Sequence, residues 1–280
     1  MRKTARMPRS GTHRTEETMD KKFLLDRAAR SGEERIFLAH VLDRYEQCRN
    51  RSIPVHTGFL SPAEQQSARD LLHAAAIHDG YVFLGGYERA ERRMLCFLPQ
   101  WQESVDAEEH MTLLHCTFCE EGALTHRDFL GSLMGLQITR GKLGDILVTP
   151  GSAELIVSND IAEYLLQNLT AAGRVKLCVT RAALSELNVP ELKVKTVRDT
   201  VAALRLDAVT AAGFSMSRAK AQELIASGRV QLNYRETLKS DAPVAEGDVI
   251  SARGLGKFEI AGVGGLSKKG RTGVMLRRYL

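Results

Sequence analysis

The sequence predicts an α+β protein of three units: a helical N-terminal region, an α/β middle unit, and a small C-terminal unit of two short helices followed by strands. Three observations carry this reading. Over 20–76 the apolar residues recur at three- and four-residue spacing, as on one face of a helix. Over 79–181 short apolar runs bounded by turn residues alternate with two helical stretches. Over 205–248 two brief helical patterns, punctuated by Gly213 and Gly228, run into a short alternating strand.

In the first unit, Phe23, Leu24 and Ala28 share a helical face, as do Ile36, Phe37, Val41 and Tyr45. Ser31 and Glu34 carry the spacing of a capping box. Residues 52–55, Ser-Ile-Pro-Val, break the run. Ser61 then caps a third helix with Pro62 at its first position and Glu64 at its third. The unit is expected to span 19–78. Residues 1–18 hold five bases and two acids without apolar periodicity, the composition of a disordered basic extension, and Met19 stands where folded patterning begins.

The middle unit, 79–188, opens with an apparent hairpin, 81–87 and 94–98 around the charged turn 88–93. Then follow a strand at 113–118, a helix at 125–134, strands at 145–149 and 153–158 through Pro150-Gly151, a helix at 160–169, and a strand at 175–179. This β-α-β-β-α-β order is that of ferredoxin-like domains. Residues 189–195 read as a linker and 196–280 as the C-terminal unit. There Val201, Leu204, Ala208 and Ala212 give one helix an apolar face, and Gly213 is a C-cap suited to positive φ. Ser215 or Ser217 starts the next helix, with Ala221, Leu224 and Ile225 inward. Asn233-Tyr234 makes a turn, and 249–250, 258–260 and 274–276 complete a small sheet.

The charge is unevenly placed. From Lys193 onward there are sixteen Lys and Arg against eight Asp and Glu, while 19–192 carries a net −6, so the overall +5 conceals a basic C-terminal unit on an acidic body. Its bases include Arg205, Arg218, Lys220, Arg229 and Lys239. Arg218 and Lys220 fall in the first turn of a helix, whose free N–H groups and dipole already favour an anion. Cations placed there are stabilised by a bound phosphate, to which Ser217 can add a hydrogen bond. The chemistry points to RNA.

These residues also carry a resemblance. Arg-Leu-Asp at 205–207, Ser-Arg-Ala-Lys at 217–220, Ile225, Gly228, Val230, Asn233, Lys239, Pro243-Val244 and Gly247-Asp248 resemble an S4 RNA-binding domain over about sixty residues, with Tyr234 where many members have Gly. The resemblance implies a small α-L-shaped surface for structured RNA. Carried onto this chain, its contacts are Arg205, Ser217, Arg218, Lys220 and Lys239, with Asp207 orienting a neighbouring basic residue or capping locally. The whole arrangement, with the segment from Gly122 to Val148, is similar to the YlmH-type bacterial S4-domain proteins. That implies a cytoplasmic, non-enzymatic factor, monomeric, binding rRNA and tRNA on large ribosomal subunits that retain peptidyl-tRNA, in ribosome-associated quality control. His126, Arg127, Arg140 and Lys142 are candidates for a second RNA contact.

Other chemistries find less support. Cys116-Thr-Phe-Cys119 is a CxxC without the second pair of ligands a structural zinc needs, so no metal and no cofactor are expected. His126-Arg127-Asp128 lacks the companion motifs of a kinase. The five cysteines, odd in number and mostly within apolar segments, suit a reducing compartment. No run of eighteen apolar residues exists to span a membrane. An RNA-modifying enzyme would need a catalytic Asp in a larger domain or a cofactor loop, and the one Arg-Leu-Asp lies inside the S4 pattern. A cell-division or scaffold partner, acting through the acidic body, is the third reading.

Overall fold

A computed structural model describes residues 21–119, 124–191, 193–267 and 270–279. The expected extension at 1–18, Met19, Gly122, Lys268 and Lys269 lie outside the described residues.

The N-terminal unit has helices α1 (Lys21–Ala28), α2 (Gly32–Arg51) and α3 (Pro62–Ala74). Both expected caps form. Ser31 Oγ accepts the Glu34 N–H at 3.1 Å. At α3 the Glu64 N–H donates to Ser61 Oγ, and Glu64 Oε2 accepts the Ser61 N–H at 2.7 Å. Residues read as helical approach also supply strand β1 (Val55–Leu60), which joins β2 (Tyr81–Leu84) and β3 (Arg93–Phe97) in the order β1-β3-β2. The hairpin therefore belongs to this unit and not to the middle one. One face of its sheet, through Leu60, Leu95 and Phe97, packs on Leu38, Leu42, Leu71 and Leu72 of the helices. The unit extends past residue 78 because the third strand completes its core.

The middle unit contains β4 (Met111–Thr117), α4 (His126–Gly135), β5 (Leu143–Thr149), β6 (Ser152–Ser158), α5 (Asn159–Asn168), a two-residue ribbon β7 (Ala171–Ala172) and β8 (Val175–Lys176), and β9 (Cys178–Ala182). The order is β5-β6-β4-β9, antiparallel throughout. Strands β4 and β5 thus run the same way with β6 between them, the split βαβ of a ferredoxin-like fold. The last sheet strand starts at Cys178, later than expected, because 171–176 folds back on itself. Phe129, Leu133, Ala162 and Leu165 of the two helices cover Leu114, Cys116, Leu155 and Val157 on one sheet face. The other face, with Met111, Leu113 and Ile156, packs on Phe59, Met94 and Cys96 of the N-terminal sheet. The two sheets lie face to face, with a helical layer outside each.

The C-terminal unit has β10 (Val194–Val201), α6 (Leu206–Gly213), α7 (Arg218–Ala226), β11 (Val230–Leu232), β12 (Arg235–Glu236), β13 (Val249–Ala252), β14 (Gly256–Leu266) and β15 (Thr272–Tyr279). Its sheet order is β10-β15-β14-β13-β11-β12. Two expectations need correction. Val194 and Lys195, read as linker, pair with Tyr279 and Arg278, and Val201 ends β10 instead of starting a helix. Gly213 does not take positive φ. A Cβ there would lie 2.3 Å from Phe258 Cε1, so the glycine admits the Phe258 ring against α6. Gly228, at φ +69°, does end α7 as expected. Leu206, Val209, Leu224 and Ile225 cover Val230, Ile250, Phe258, Ile260, Val274 and Leu276, closing one sheet face. Asn233 and Tyr234, at φ 51° and 63°, make the β11–β12 turn.

Candidate nucleic-acid interface

Asp207 organises the α6–α7 surface. Its side chain is fully buried, with 0% exposure, and an isolated carboxylate there would be costly. Four hydrogen bonds compensate. Arg205 Nε donates to Oδ1 at 3.3 Å. Oδ2 accepts from Arg205 Nη2 at 3.2 Å, Arg218 Nε at 3.0 Å and Gln222 Nε2 at 2.8 Å. Burial alone would raise the pKa of Asp207. The bonds from Gln222, Arg205 and Arg218 outweigh it and hold the carboxyl below its ordinary range. One carboxylate serves two guanidiniums, so the cluster keeps a net positive charge.

The arginines reach outward from this anchor, Arg205 38% and Arg218 50% exposed. Ser217 is the cap of α7, its Oγ accepting the Lys220 N–H at 3.3 Å while the hydroxyl proton stays free to donate outward. Lys220 is exposed in the same first turn. Lys239 joins through the backbone. The Leu206 N–H donates to Ala242 O at 2.9 Å and the Asp207 N–H to Ser240 O at 3.0 Å, so the 239–243 loop is held against the start of α6. Of the five sequence candidates, Arg205 and Arg218 bond the buried acid directly, Ser217 and Lys220 lie in the first turn of α7, and Lys239 lies in the loop bonded to the start of α6. Gln222 was missed by the sequence reading; its position four residues after Arg218, on the same helix face, was the available signal.

The second set is less coherent. His126 and Arg127 occupy the first turn of α4, where Thr125 N–H and Oγ both donate to Asp128 Oδ2. Burial, and the charge of Arg140 after it, lower the pKa of His126, which favours its neutral form. Lys142 is paired with Asp160 instead of standing with the others. Arg127 and Arg140 remain as exposed cations. Cys116 is buried in the core with its thiol pushed up to about 12 by burial, while Cys119 is exposed.

The charged turn at 88–93 ties the units together. Asp145 accepts from Tyr87 OH and the Glu91 N–H, both at 2.7 Å, and from the Arg92 N–H at 2.9 Å. Arg92 donates to the carbonyls of Leu143, Phe59 and Arg140 at 2.7–2.8 Å. Glu91 pairs with Lys257 of β14. On β12, Arg235 bonds Asp70 at 2.6 Å and Ser67 Oγ at 3.2 Å on α3. The C-terminal unit is thus docked on the N-terminal one by ion pairs between sequence-distant residues.

Fold and surface define an S4-domain protein with a basic helical face. A model of the S4 domain matches residues 204–250, and a model described as a putative RNA-binding domain in YlmH matches 108–186. The chain is 34% identical over 223 residues to the Ribosome-associated protein quality control protein P2 of Bacillus subtilis (strain 168), across 79% of this chain and 86% of that protein. It belongs to the YlmH family of S4-domain proteins. A solved structure, the cell division protein ylmH from Streptococcus pneumoniae, is similar at 20% identity with a TM-score of 0.48, over 57% of this chain and 96% of that one. Among the described residues, no helix is long and apolar enough to cross a membrane.

Proposed function

We propose that this protein is a non-enzymatic, monomeric factor of the cytoplasm that docks through its S4 face on rRNA and tRNA of the large ribosomal subunit, in quality control of stalled nascent chains. The observation that carries the reading is the pair Arg205 and Arg218 anchored on Asp207, with Ser217, Lys220 and Lys239 exposed or part-exposed nearby on the start of α7 and the loop held at α6. Such a surface meets phosphates and folded RNA shape rather than a linear base sequence. The name of the Bacillus relative, a ribosome-associated protein quality control protein, supports a ribosome-associated role in quality control. Catalysis by Asp207 is disfavoured physically, because a fully buried carboxylate with four donors has no face left for a substrate. Arg127 and Arg140 of the middle unit supply a second contact, and two linked contacts gain affinity through effective concentration.

Sucrose-gradient sedimentation of lysate from growing cells tests this. The protein is expected with free large subunits, enriched where peptidyl-tRNA is retained. Sedimentation only with whole ribosomes, or wholly free, contradicts the proposal.

A further inference from the structure

The face of the C-terminal sheet turned away from α6 and α7 is open along β10 and β15, and its composition there is fixed by register. Thr196 pairs with Arg277, Arg198 with Met275 and Thr200 with Gly273 between β10 and β15. Across β14, Gly262 pairs with Met275 and Glu259 with Arg277. Directly opposed residues share a face, so these side chains point together, away from Leu276, Ile260 and Phe258, which face the helices. Thr196, Arg198, Met275 and Arg277 are all exposed.

Two properties set this face apart. It is cationic: Arg198 makes no ion pair among the described residues, and Arg277 has Glu259 as its one partner there, at 2.9 Å. It is also cleared of side chains at one end. The nearest neighbours of a Cβ on Gly264 would be Gly273 backbone atoms, from 3.7 Å, whereas the Met275 side chain already lies over Gly262, its Cε 3.4 Å from where a Cβ would be. Gly264 and Gly273 therefore leave a stretch of bare backbone beside Thr200, one pair along from Arg198, and glycine is the residue that lets another chain's backbone come close. At the other end, Lys257 on the same face pairs with Glu91 and lies over the Tyr279 ring.

We propose that this outer face is a second RNA-binding surface, in which Arg198 and Arg277 hold phosphates of a backbone lying along the glycine strip. It rests on the RNA-binding reading given above and extends it. The helix face and the sheet face lie on opposite sides of one small domain, so RNA can grip the domain from both. A unit of this size buries limited area through one contact, roughly that of a single small nucleic-acid-binding module; a second face adds affinity without a further domain.

The test uses full-length protein, purified large ribosomal subunits and a potassium chloride series. The double variant Arg198→Gln, Arg277→Gln is expected to lower the slope of log K against log salt by ~2, about one unit for each phosphate no longer neutralised. Because losing Arg277 also removes its Glu259 pair, Met275→Glu is measured beside it. That change leaves the pair intact, sets an acid between the two arginines, and is expected to weaken binding across the series. Unchanged slope and affinity in both folded variants refute the sheet surface. If Arg218→Ala, Lys220→Ala lowers the slope while these do not, the helix face stands alone; if neither pair moves it, the RNA-binding reading itself falls.

Discussion

The molecule contains two antiparallel sheets that each carry a helix pair on one face, and they differ in what covers the other. In the middle unit Met111, Leu113 and Ile156 lie under Phe59, Met94 and Cys96 of the N-terminal sheet. In the C-terminal unit Arg198, Met275 and Arg277 stay exposed. Sheets of the RRM type bind RNA by stacking bases on exposed aromatics of such a face. Here that face of the middle sheet is apolar where it meets its neighbour and serves as structural glue. The same architecture is covered on this face in one unit and left exposed in the other, according to which side chains alternate onto its free side.

The largest effect that can break this comparison comes from the buried contact. Phe59→Ala is expected to cost about 3–5 kcal/mol, the range for deleting a fully buried aromatic ring. The matched change on the open sheet, Met275→Ala, should stay within about 0.5 kcal/mol, as exposed substitutions do. Chemical denaturation of both variants measures it, and similar costs at the two sites would erase the distinction.

A smaller effect is expected at Asp207. Asp207→Asn leaves Arg205 and Arg218 without their shared charge. Both arginines are part-exposed and can rehydrate, so the cost is about 2 kcal/mol, below that of breaking a wholly buried pair. RNA affinity falls as well, because the arginines lose their orientation. The same carboxylate sharpens the pH profile. Its folded pKa is held below the ordinary 3.8, so its contribution is complete above that value and is lost as pH falls through the lowered one. Thermal melts between pH 5 and about 2 should show part of the acid loss of the native protein missing in the Asn variant. Parallel acid profiles would contradict the assignment.

Much of this was legible in the sequence where the signal is local. The caps at Ser31, Ser61 and Ser217 form as the spacing predicts, and Arg205 and Arg218 of the S4 pattern meet at Asp207. What escaped depends on distant partners or broken periodicity. Strand β1 has an irregular register between His56 and Phe59, so it lacks clean alternation. Nothing in the hairpin at 81–97 tells which third strand it joins. Strand β10 is an edge strand with only Val201 buried, so its first residues, Val194 and Lys195, read as linker and Val201 as helix. Gly213 answers to Phe258, forty-five residues on. Arg92, Arg235 and Lys257 act through tertiary pairs, which leave no trace in local spacing.

We propose that the Asp207-anchored helix face holds RNA through its cations. It is tested most directly by the salt dependence of binding to purified large subunits, compared between native protein and the Arg218→Ala, Lys220→Ala variant. With two phosphate-binding cations gone, the slope of log K against log salt should fall by ~2 and affinity should drop at every salt concentration. An unchanged slope and affinity in a variant that melts like the native protein would contradict the account.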